Sequence, residues 1–403
     1  MEKKNERSFG LYGIEGLYNF GCEAIVRGIE KAIHKENPKA KIVYFSRMPT
    51  YDKKVISDID LIIMDVKRNN SILVKIINKI LRLLNSSYRI PNDEYQLITD
   101  NCDFIISVGG DIYTVPKVKL QKKRIIIYNK LVAFGEYALR KGKKIIIAGA
   151  SIGPFGTSEK LCMYYFSHLK KVFRIAVREE VTFRYLRENG IIDNVLLVPD
   201  PAYMLARRTG TYNANGYIVF NVSPLSYKSI YGESAKGIRN CADIITQLVE
   251  LFGVQIKLVP HVISPTNQDD NDYLFLEQAY NFLSDDVKKY VELVPVNNLS
   301  FFGVKDCLVK ASMVIAARMH CAINAMSEGI PTVLLSYSSK SLAMAEYVYE
   351  HSQYVISLER PLVDIIEVVK KVYYQKEKIN RQLQARMDKI QVDIDAMDLY
   401  KNL

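Results

Sequence analysis

The feature that most constrains the fold is the alternation of short, continuously apolar runs with longer amphipathic stretches along the 403-residue chain. Such runs are typical of strands buried on both faces of a parallel sheet, and the amphipathic stretches are typical of the helices that cover it. The runs form two series, which are Lys41–Phe45, Leu61–Met64, Phe104–Val108, Lys144–Ala148, Ile175–Val177 and Val195–Val198, then Tyr217–Asn221, Gln255–Val259, Tyr290–Leu293, Met313–Ala316, Thr332–Leu335 and Tyr354–Ile356. The pattern predicts an α/β protein with two doubly wound, Rossmann-like halves.

A polar, turn-rich segment separates the two series of runs. It spans residues 206–216 and reads ARRTGTYNANG, with no hydrophobic periodicity. We therefore predict an N-terminal domain over residues 1–205, a C-terminal domain over 206–363 and a charged, helical tail over 364–403. A chain of this length is natural for two domains.

Composition restricts the partners and the compartment. The net charge of +11 indicates an anionic partner, such as a phosphate ligand, an anionic lipid or a nucleic acid. The six cysteines form no Cys-x-x-Cys pair and match no metal-site spacing, so we expect free thiols, no metal and no bound cofactor. No apolar run is long enough for a signal peptide or a membrane span, and we expect a cytoplasmic protein.

Four candidate positions follow strands or precede a helix in the N-terminal half, where ligands of open α/β sheets bind. Asn19 precedes a helix that should begin near Gly21, and it either caps that helix or marks an anion site at its free N–H groups. Gly109 and Gly110 permit a close backbone approach to a ligand, and Asp111 is either an acid or base or an ordinary turn residue. These two glycines and two polar residues are candidates on position alone.

Two further candidates of this half are polar side chains at strand ends. Ser151 either donates a hydrogen bond to a ligand or lies in a plain loop. Arg178 lies where a strand meets a helix, so its planar guanidinium either binds a carboxylate or phosphate or pairs with Glu179, Glu180 or another neighbour. We favour ligand binding for Arg178.

The C-terminal half carries the sharpest local signal. Arg318 and His320 follow an apolar strand directly and open a helix, so a guanidinium and an imidazole share one helix start, which predicts an anion site. His261 ends another strand and is either a satisfied loop residue or a group that moves a proton. Lys340 follows the next strand and either adds a charge for phosphate or is solvated.

A basic, apolar segment at residues 67–85 reads KRNNSILVKIINKILRLLN. Its basic residues, which include Lys67 and Arg68, accompany a wide apolar face. Either the segment lies in a membrane interface through this face, or the face packs on the sheet of its own domain. We favour the packed arrangement.

The assembled motifs resemble the polysaccharide pyruvyl transferase family over most of the chain. The likeness rests on the order of nine short motifs: G-x-x-N-x-G-x-E-A at Gly16–Ala24, Gly109–Gly110, S-I-G-P at Ser151–Pro154, V-R-E-E at Val177–Glu180, P-D-P at Pro199–Pro201, P-H at Pro260–His261, R-x-H at Arg318–His320, G-I-P at Gly329–Pro331 and Y-x-x-K at Tyr337–Lys340. Two departures are Asp111 in place of a third glycine and Thr182 in place of a frequent serine.

The resemblance implies a fold similar to the GT-B glycosyltransferases, with the donor between the domains. It implies phosphoenolpyruvate as donor and a saccharide as acceptor, which can be lipid-linked, in bacterial surface or capsular polysaccharide synthesis. It assigns Arg178, Arg318 and His320 to the donor, which the C-terminal domain would bind, and leaves the acceptor to the N-terminal domain. The acid and base are then sought among His320, His261, Asp111 and Asp200.

Two other functions remain open from the sequence. A GT-B glycosyltransferase that uses a nucleotide sugar would also place an R-x-H motif before E-G-I-P, with Glu328. A non-catalytic polysaccharide or nucleic-acid binding protein would need aromatics interleaved with basic residues, whereas the 27 tyrosines here are scattered. We therefore expect no nucleic-acid partner, and a peripheral position at the inner membrane face is compatible with the basic segment.

Overall fold

The computed structural model describes residues 7–66, 71–115, 120, 126–208, 211–232, 234–297, 299–336 and 340–401. The chain divides into two compact units. Unit 1 comprises Met1–Leu17, Ile25–Pro201 and Ala396–Leu403, and unit 2 comprises Tyr18–Ala24 and Ala202–Asp395.

Unit 1 is built on a seven-stranded parallel sheet with the order β3-β2-β1-β4-β5-β6-β7. Its strands are β1 Ser8–Tyr12, β2 Lys41–Ser46, β3 Ile62–Asp65, β4 Phe104–Val108, β5 Lys144–Ala150, β6 Arg174–Val177 and β7 Val195–Leu197. Its helices are α1 Phe20–Glu36, whose first residues belong to unit 2, α2 Pro49–Val55, α3 Ile72–Leu83, α4 Asp93–Asn101, α5 Lys130–Arg140, α6 Glu159–Leu169 and α7 Glu180–Glu188.

Unit 2 is built on a six-stranded parallel sheet with the order β10-β9-β8-β11-β12-β13. Its strands are β8 Ile218–Asn221, β9 Ile256–Leu258, β10 Val291–Leu293, β11 Met313–Ala316, β12 Thr332–Ser336 and β13 Val355–Ser357. Its helices are α8 Pro224–Tyr231, α9 Ser234–Phe252, α10 Asp272–Asn281, α11 Asp285–Lys288, α12 Phe301–Leu308, α13 Met319–Met326, α14 Lys340–Tyr349, α15 Leu362–Tyr374 and α16 Lys376–Ala396, with short 3₁₀ turns at Pro201–Leu205 and Gln268–Asp270.

The two sheets confirm the predicted doubly wound α/β class, because every strand pair is parallel and each sheet reverses its strand order once. The reversals lie between β1 and β4 in unit 1 and between β8 and β11 in unit 2. Each of the twelve predicted strands exists, with ends that shift by at most two residues. Loops at such reversal points are where ligands of this fold class bind.

One strand, β1, was not predicted from the sequence, although it lies next to the reversal point of unit 1. Its run S-F-G-L-Y is interrupted by Gly10, which breaks the apolar pattern. The glycine is required by packing, since a Cβ at this position would lie 2.6 Å from Sγ of Cys102 and 2.9 Å from the ring of Phe45. β1 pairs in register with β2 and β4, with Leu11 between Tyr44 and Ile106.

The expectation that the apolar face of the basic segment packs on its own sheet is wrong. Helix α3 covers residues 72–83 of that segment and contains no buried residue. Its leucines and isoleucines include Ile72, 76% exposed, and Leu83, 65% exposed. Lys67 and Arg68 lie outside the described residues. No helix of the described ranges is long and apolar enough to cross a membrane.

The end of the chain belongs to two units. Helices α15 and α16 lie in unit 2 up to Asp395, and the residues from Ala396 onward belong to unit 1. There the Tyr400 carbonyl accepts a hydrogen bond from Asn37 Nδ2 at 2.8 Å, and the Tyr400 N–H donates to the Glu36 carboxylate at 2.8 Å.

Candidate active site

Strand ends of unit 1 bring Arg178, Ser151 and Asp200 into one buried cluster. Arg178 follows the last residue of β6 and precedes α7. Its Nη1 donates to Oδ2 of Asp200 at 2.7 Å, and its Nε and Nη2 lie 3.4 and 3.3 Å from Oγ of Ser151. Because the Arg178 and Asp200 side chains are both almost fully buried, this ion pair fixes the orientation of the guanidinium.

Asp111 and the two glycines before it complete this cluster at the end of β4. Oδ1 of Asp111 lies 3.6 Å from Nη2 of Arg178, and its side chain is 50% exposed. Gly109 has a φ of +138°, which favours glycine, and a Cβ at Gly110 would lie 2.8 Å from Nη2 of Arg178. Gly110 therefore permits a close approach of the Arg178 guanidinium, whereas a Cβ at Gly109 would lie 2.5 Å from Cγ2 of Ile112.

The charge of Arg178 is stabilised within the cluster. Burial lowers the pKa of Arg178, but the carboxylates of Asp200 and Asp111 outweigh it and raise the pKa above its ordinary value. Arg178 thus forms the ion pairs that were considered as the alternative to ligand binding, and its partners are Asp200 and Asp111. Glu179 instead accepts a hydrogen bond from the hydroxyl of Thr182 at 2.7 Å.

In unit 2, Arg318 lies where β11 meets α13 and binds two aspartates. Its Nη2 lies 2.5 Å from Oδ1 of Asp270 and 2.7 Å from Oδ1 of Asp272, and its Nε donates to the same Asp272 oxygen at 3.1 Å. The Arg318 backbone N–H donates to Oδ1 of Asn221, at the end of β8, at 3.1 Å. The residue therefore lies at the strand-order reversal of unit 2.

Asp272 connects Arg318 to the loop that follows β9. Its side chain is fully buried, and Oδ2 accepts the backbone N–H groups of His261 and Val262, each at 3.0 Å. Burial raises the pKa of Asp272, and the Arg318 guanidinium opposes this increase. The sequence analysis missed Asp270 and Asp272, although the polar run N-Q-D-D-N-D at 267–272 follows a predicted strand end.

His261 is enclosed in unit 2 between aromatic rings. Its ring centroid lies 5.8 Å from that of Phe20 and 6.5 Å from that of Phe301, and its Nε2 has no hydrogen-bond partner among the described residues. Burial and the neighbouring His320 and Arg318 hold the pKa of His261 well below its usual value. A neutral imidazole is a poor proton donor near pH 7, so the environment of His261 does not favour the acid role considered for it.

The first turn of α1 packs directly against His320. A Cβ at Gly21 would lie 2.5 Å from Nδ1, 2.7 Å from Cγ and 2.9 Å from Cβ of His320, so only glycine fits there. Asn19 acts as a cap, since its Oδ1 accepts the Gly21 N–H at 3.0 Å and its carbonyl accepts those of Cys22 and Glu23. Asn19 and Gly21 of the first motif therefore form the start of α1 together, and Gly21 is the residue that packs against His320.

Two other predicted positions carry less information. Tyr337 and the two serines after it lie outside the described residues, as does the side chain of Lys340. Glu328 belongs to a buried structural network, because one carboxylate oxygen lies 2.5 Å from Nζ of Lys305 and the carboxylate accepts the N–H groups of Arg207 and Arg208. Within the described part of the chain, no group of His, Cys, Asp and Glu has the arrangement of a metal site.

A cavity of about 360 Å³ opens at the strand ends of unit 1 near β1 and β2. Aromatic rings, three basic side chains and several polar groups line it: Tyr12, Tyr95, Tyr128, Phe134, Arg47, Arg89, Lys130, Asn78, Asn92 and Glu94 are among these residues. Arg47 pairs with Glu94 at 2.6 Å, and the guanidinium of Arg89 lies 4.4 Å from the ring centroid of Tyr128. Mixed aromatic and polar walls of this kind suit a small polar ligand.

The solved structures that resemble this chain share its fold at low sequence identity. The UDP-GlcNAc 2-epimerase from Neisseria meningitidis bound to UDP-GlcNAc matches with a TM-score of 0.55 and 13% identity, over 96% of this chain and all of that one. A glycosyltransferase from Rickettsia africae matches with a TM-score of 0.54 and 11% identity, over 99% of this chain and 100% of that one. These neighbours confirm the GT-B-like architecture.

Sequence comparison shows the family. The model of the polysaccharide pyruvyl transferase family matches residues 19–339, which include both clusters described above. The amylovoran biosynthesis protein AmsJ of Erwinia amylovora is 22% identical over 378 residues, which cover 83% of this chain and 84% of that protein. The chain therefore belongs to the polysaccharide pyruvyl transferase family and is a pyruvyltransferase.

Proposed function

We propose that this pyruvyltransferase takes its pyruvyl group from phosphoenolpyruvate and attaches it to two hydroxyl groups of a saccharide as a cyclic ketal, in the synthesis of a bacterial surface or capsular polysaccharide. The observation that carries the proposal is the strand end of unit 2, where Arg318 and His320 flank the start of α13. Phosphoenolpyruvate bears a carboxylate and a phosphate on one enol carbon, so its site needs fixed cations.

The chemistry defines the groups that the site must supply. A proton adds to the methylene carbon, a first sugar hydroxyl adds to the enol carbon, the C–O bond to phosphate breaks, and a second hydroxyl closes the ketal. The hydroxyls release two protons in all; in the overall balance one resides on the new methyl group and the other on phosphate. The site therefore needs a general acid for carbon, a base for the hydroxyls and cations for the anionic groups.

Arg318 suits the anionic donor substrate because its two aspartates hold the guanidinium without using all of its N–H groups. Nε and Nη2 bind Asp272 and Asp270, whereas Nη1 donates to no residue of the described ranges. Burial alone would lower the pKa of Arg318, but the two carboxylates raise it, so the guanidinium stays charged. The first turn of α13 contains no acidic residue, and its N–H dipoles add to the attraction for an anion.

We assign the general acid to His320 rather than to His261. His320 lies in the first turn of α13, two residues beyond Arg318, whereas Phe20 and Phe301 enclose His261 and burial holds its pKa well below the usual value. His320→Gln should lower kcat more than the affinity for phosphoenolpyruvate. In D₂O, the parent enzyme should place deuterium in the product methyl group. Parental turnover of His320→Gln would exclude His320 as the acid.

Arg178 remains part of the donor proposal through the family resemblance, with Asp200 as the residue that orients it. Arg178→Lys keeps a charge but loses the planar fork that binds Asp200 and Ser151, so it should raise the KM for phosphoenolpyruvate at least tenfold, about 1.4 kcal/mol. Ser151→Ala, which removes only hydroxyl contacts at 3.3 and 3.4 Å, is the matched control and should change this KM less.

The cavity of unit 1 is our proposed acceptor site. Its aromatic rings offer flat apolar surfaces for sugar rings, and its polar side chains offer partners for hydroxyls. Asp111 is half exposed at the end of β4, beside β1, whose last residue Tyr12 lines the cavity, and we propose it as the base. Tyr128→Ala should raise the KM for a saccharide acceptor and leave that for phosphoenolpyruvate unchanged.

Competition between donors tests the proposal against a nucleotide-sugar transferase. The neighbour bound to UDP-GlcNAc shares only the fold with this chain, and Glu328 is occupied by Lys305 and backbone N–H groups. Saturation-transfer NMR should show phosphoenolpyruvate bound to the protein and displaced by inorganic phosphate, with no signal from UDP-GlcNAc or UDP-galactose. Binding of a UDP-sugar without binding of phosphoenolpyruvate would contradict the donor assignment.

A further inference from the structure

Helix α3 presents three different faces around its axis. With about 100° per residue, Val74, Ile77, Asn78 and Leu81 share one side, and these are the residues of the helix that are partly covered. Asn78 fastens this side to unit 1, since its Oδ1 accepts the Ile90 N–H at 2.8 Å and its Nδ2 donates to the Ile90 carbonyl at 3.2 Å. The helix is therefore docked by a narrow stripe.

A second side of α3 is apolar and open. It consists of Ile72, Leu73, Ile76, Ile80, Leu83 and the following Leu84, each at least 50% exposed. These residues span about 120° of the helix surface. Beyond the helix, Asn85 Oδ1 accepts the N–H of Ile127 at 3.2 Å, and the preceding Ile126 is 51% exposed. Monomeric soluble proteins rarely expose so many large aliphatic side chains together, and such patches mark contact surfaces.

A basic stripe lies along one edge of the open apolar side. Lys75, Lys79 and Arg82 occupy it, all three exposed, and none forms an ion pair within the described part of the chain. The helix itself contains no acidic residue. A second copy of this chain that docked here face to face would bring another α3, which carries the same basic residues and no acidic one. An anionic surface complements the stripe instead.

We propose that α3 is an interfacial helix that docks the enzyme on an anionic membrane surface. The open apolar side enters the boundary of headgroups and acyl chains, and the basic stripe meets the anionic headgroups, which is the arrangement of amphipathic helices that lie in the plane of a bilayer. The partly covered side of α3, which Asn78 fastens to unit 1, keeps the helix on the protein while the open apolar side is in the lipid. This inference concerns location and does not depend on the proposed donor or ketal chemistry.

The same helix borders the proposed acceptor cavity. Asn78 and the adjoining Arg89 and Ile90 line that cavity, and Asn78 is also the residue that fastens α3 to the Ile90 backbone. An enzyme docked through α3 would hold this cavity within a few residues of the headgroup layer. A saccharide on a lipid carrier would reach it without leaving the membrane surface.

Vesicle flotation tests the docking. We expect the parent protein to float at low salt with vesicles that contain about one-third phosphatidylglycerol, and to stay in the unbound fraction with pure phosphatidylcholine. Each basic residue near an anionic surface contributes about fivefold to partitioning, so the triple variant Lys75→Glu, Lys79→Glu and Arg82→Glu should lose at least a hundredfold. Salt should weaken binding of the parent, because it screens these charges.

A matched variant separates the helix from the charge of the whole protein. Lys160→Glu, Lys378→Glu and Arg381→Glu change the net charge by the same amount at exposed positions on α6 and α16, and this variant should bind within about threefold of the parent. Equal losses in both triple variants would overturn the local docking site. Ile76→Gln with Ile80→Gln should also release the protein, without lowering its Tm, because both side chains are exposed.

Two results would overturn the proposal outright. One is a parent protein that fails to float with anionic vesicles at low salt. The other is self-association, in which light scattering shows a parent dimer that Ile76→Gln with Ile80→Gln converts to a monomer while neither protein binds vesicles. Pyruvyl transfer to a soluble acceptor should stay at the parental level in the triple variant of α3, so a failure of docking is distinguishable from a failure of the proposed chemistry.

Discussion

The contact between Gly21 and His320 makes a sharp prediction about catalysis. The Gly21→Ala variant adds one methyl group to the first turn of α1, at 2.5 Å from Nδ1 and 2.9 Å from Cβ of the histidine. An ordinary contact needs about 3.4 Å or more, so the overlap is close to an ångström. Because Cβ itself is too close, rotation of the ring alone cannot relieve the overlap, and the two helix starts must move apart.

The cost to stability should be small and the cost to activity large. Overpacking costs about 1–3 kcal/mol, and the better helix propensity of alanine returns up to about 1 kcal/mol, so the free energy of unfolding should fall by roughly 0–2 kcal/mol. A displacement of about 1 Å in a catalytic group lowers the rate by about a hundredfold. We therefore expect kcat to fall by about two orders of magnitude in a protein that remains folded.

The assay is phosphate release from phosphoenolpyruvate in the presence of a saccharide acceptor, together with thermal unfolding. Gly237→Ala is the matched control, since it is also a helical glycine of unit 2 and its added Cβ meets only Tyr227 at 3.0 Å. The control should keep kcat within about twofold. If Gly21→Ala also keeps parental kcat, His320 does not need this position to function, and the reasoning fails.

Three further predictions concern charges. Arg318→Ala should abolish activity and lower the free energy of unfolding by about 3–5 kcal/mol, measured by urea denaturation, because one of its two aspartates is fully buried. Lys305→Met should destabilise the protein by a similar amount through the unpaired Glu328, and Lys305→Met with Glu328→Gln should recover part of it in a double-mutant cycle. A hydrogen bond from the buried His168 and the nearby Lys171 lower the pKa of Glu136 to about 2, whereas burial alone would raise it. The ionised Glu136 therefore stabilises the folded protein fully above about pH 4.5, and this contribution should be lost as the pH falls toward 2. The loss should be at most ~3 kcal/mol, and Glu136→Gln should not show it.

Much of the fold could be predicted from the sequence, because buried parallel strands are written as continuous apolar runs. Ile105 and Ile146 illustrate such positions, each fully buried between neighbouring strands. Strand β1 could not be predicted, because Gly10 interrupts its apolar pattern. This glycine is required by its close contact with Cys102, a residue far away in the chain. The exposure of the apolar face of α3 could not be predicted either, because periodicity identifies an apolar face but not what lies against it.

The site was predictable where residues follow strands and not where they come from loops. Arg178, Asp111 and Ser151 were named from their positions after strands, and the structure brings them together. Asp270 and Asp272 were missed because acidic residues in a turn usually face solvent, whereas the Asp272 side chain is fully buried against Arg318. Their role depends on a tertiary contact that no local pattern encodes.

The most direct test of the central claim is the product of the reaction itself. Incubation of the purified enzyme with phosphoenolpyruvate and a panel of galactosides and mannosides, followed by mass spectrometry, should give an acceptor heavier by one pyruvic acid less one water, with one phosphate released for each product. The Arg318→Ala variant should give neither product nor phosphate. Transfer from a UDP-sugar, or an unchanged acceptor beside complete release of phosphate, would contradict ketal formation from phosphoenolpyruvate.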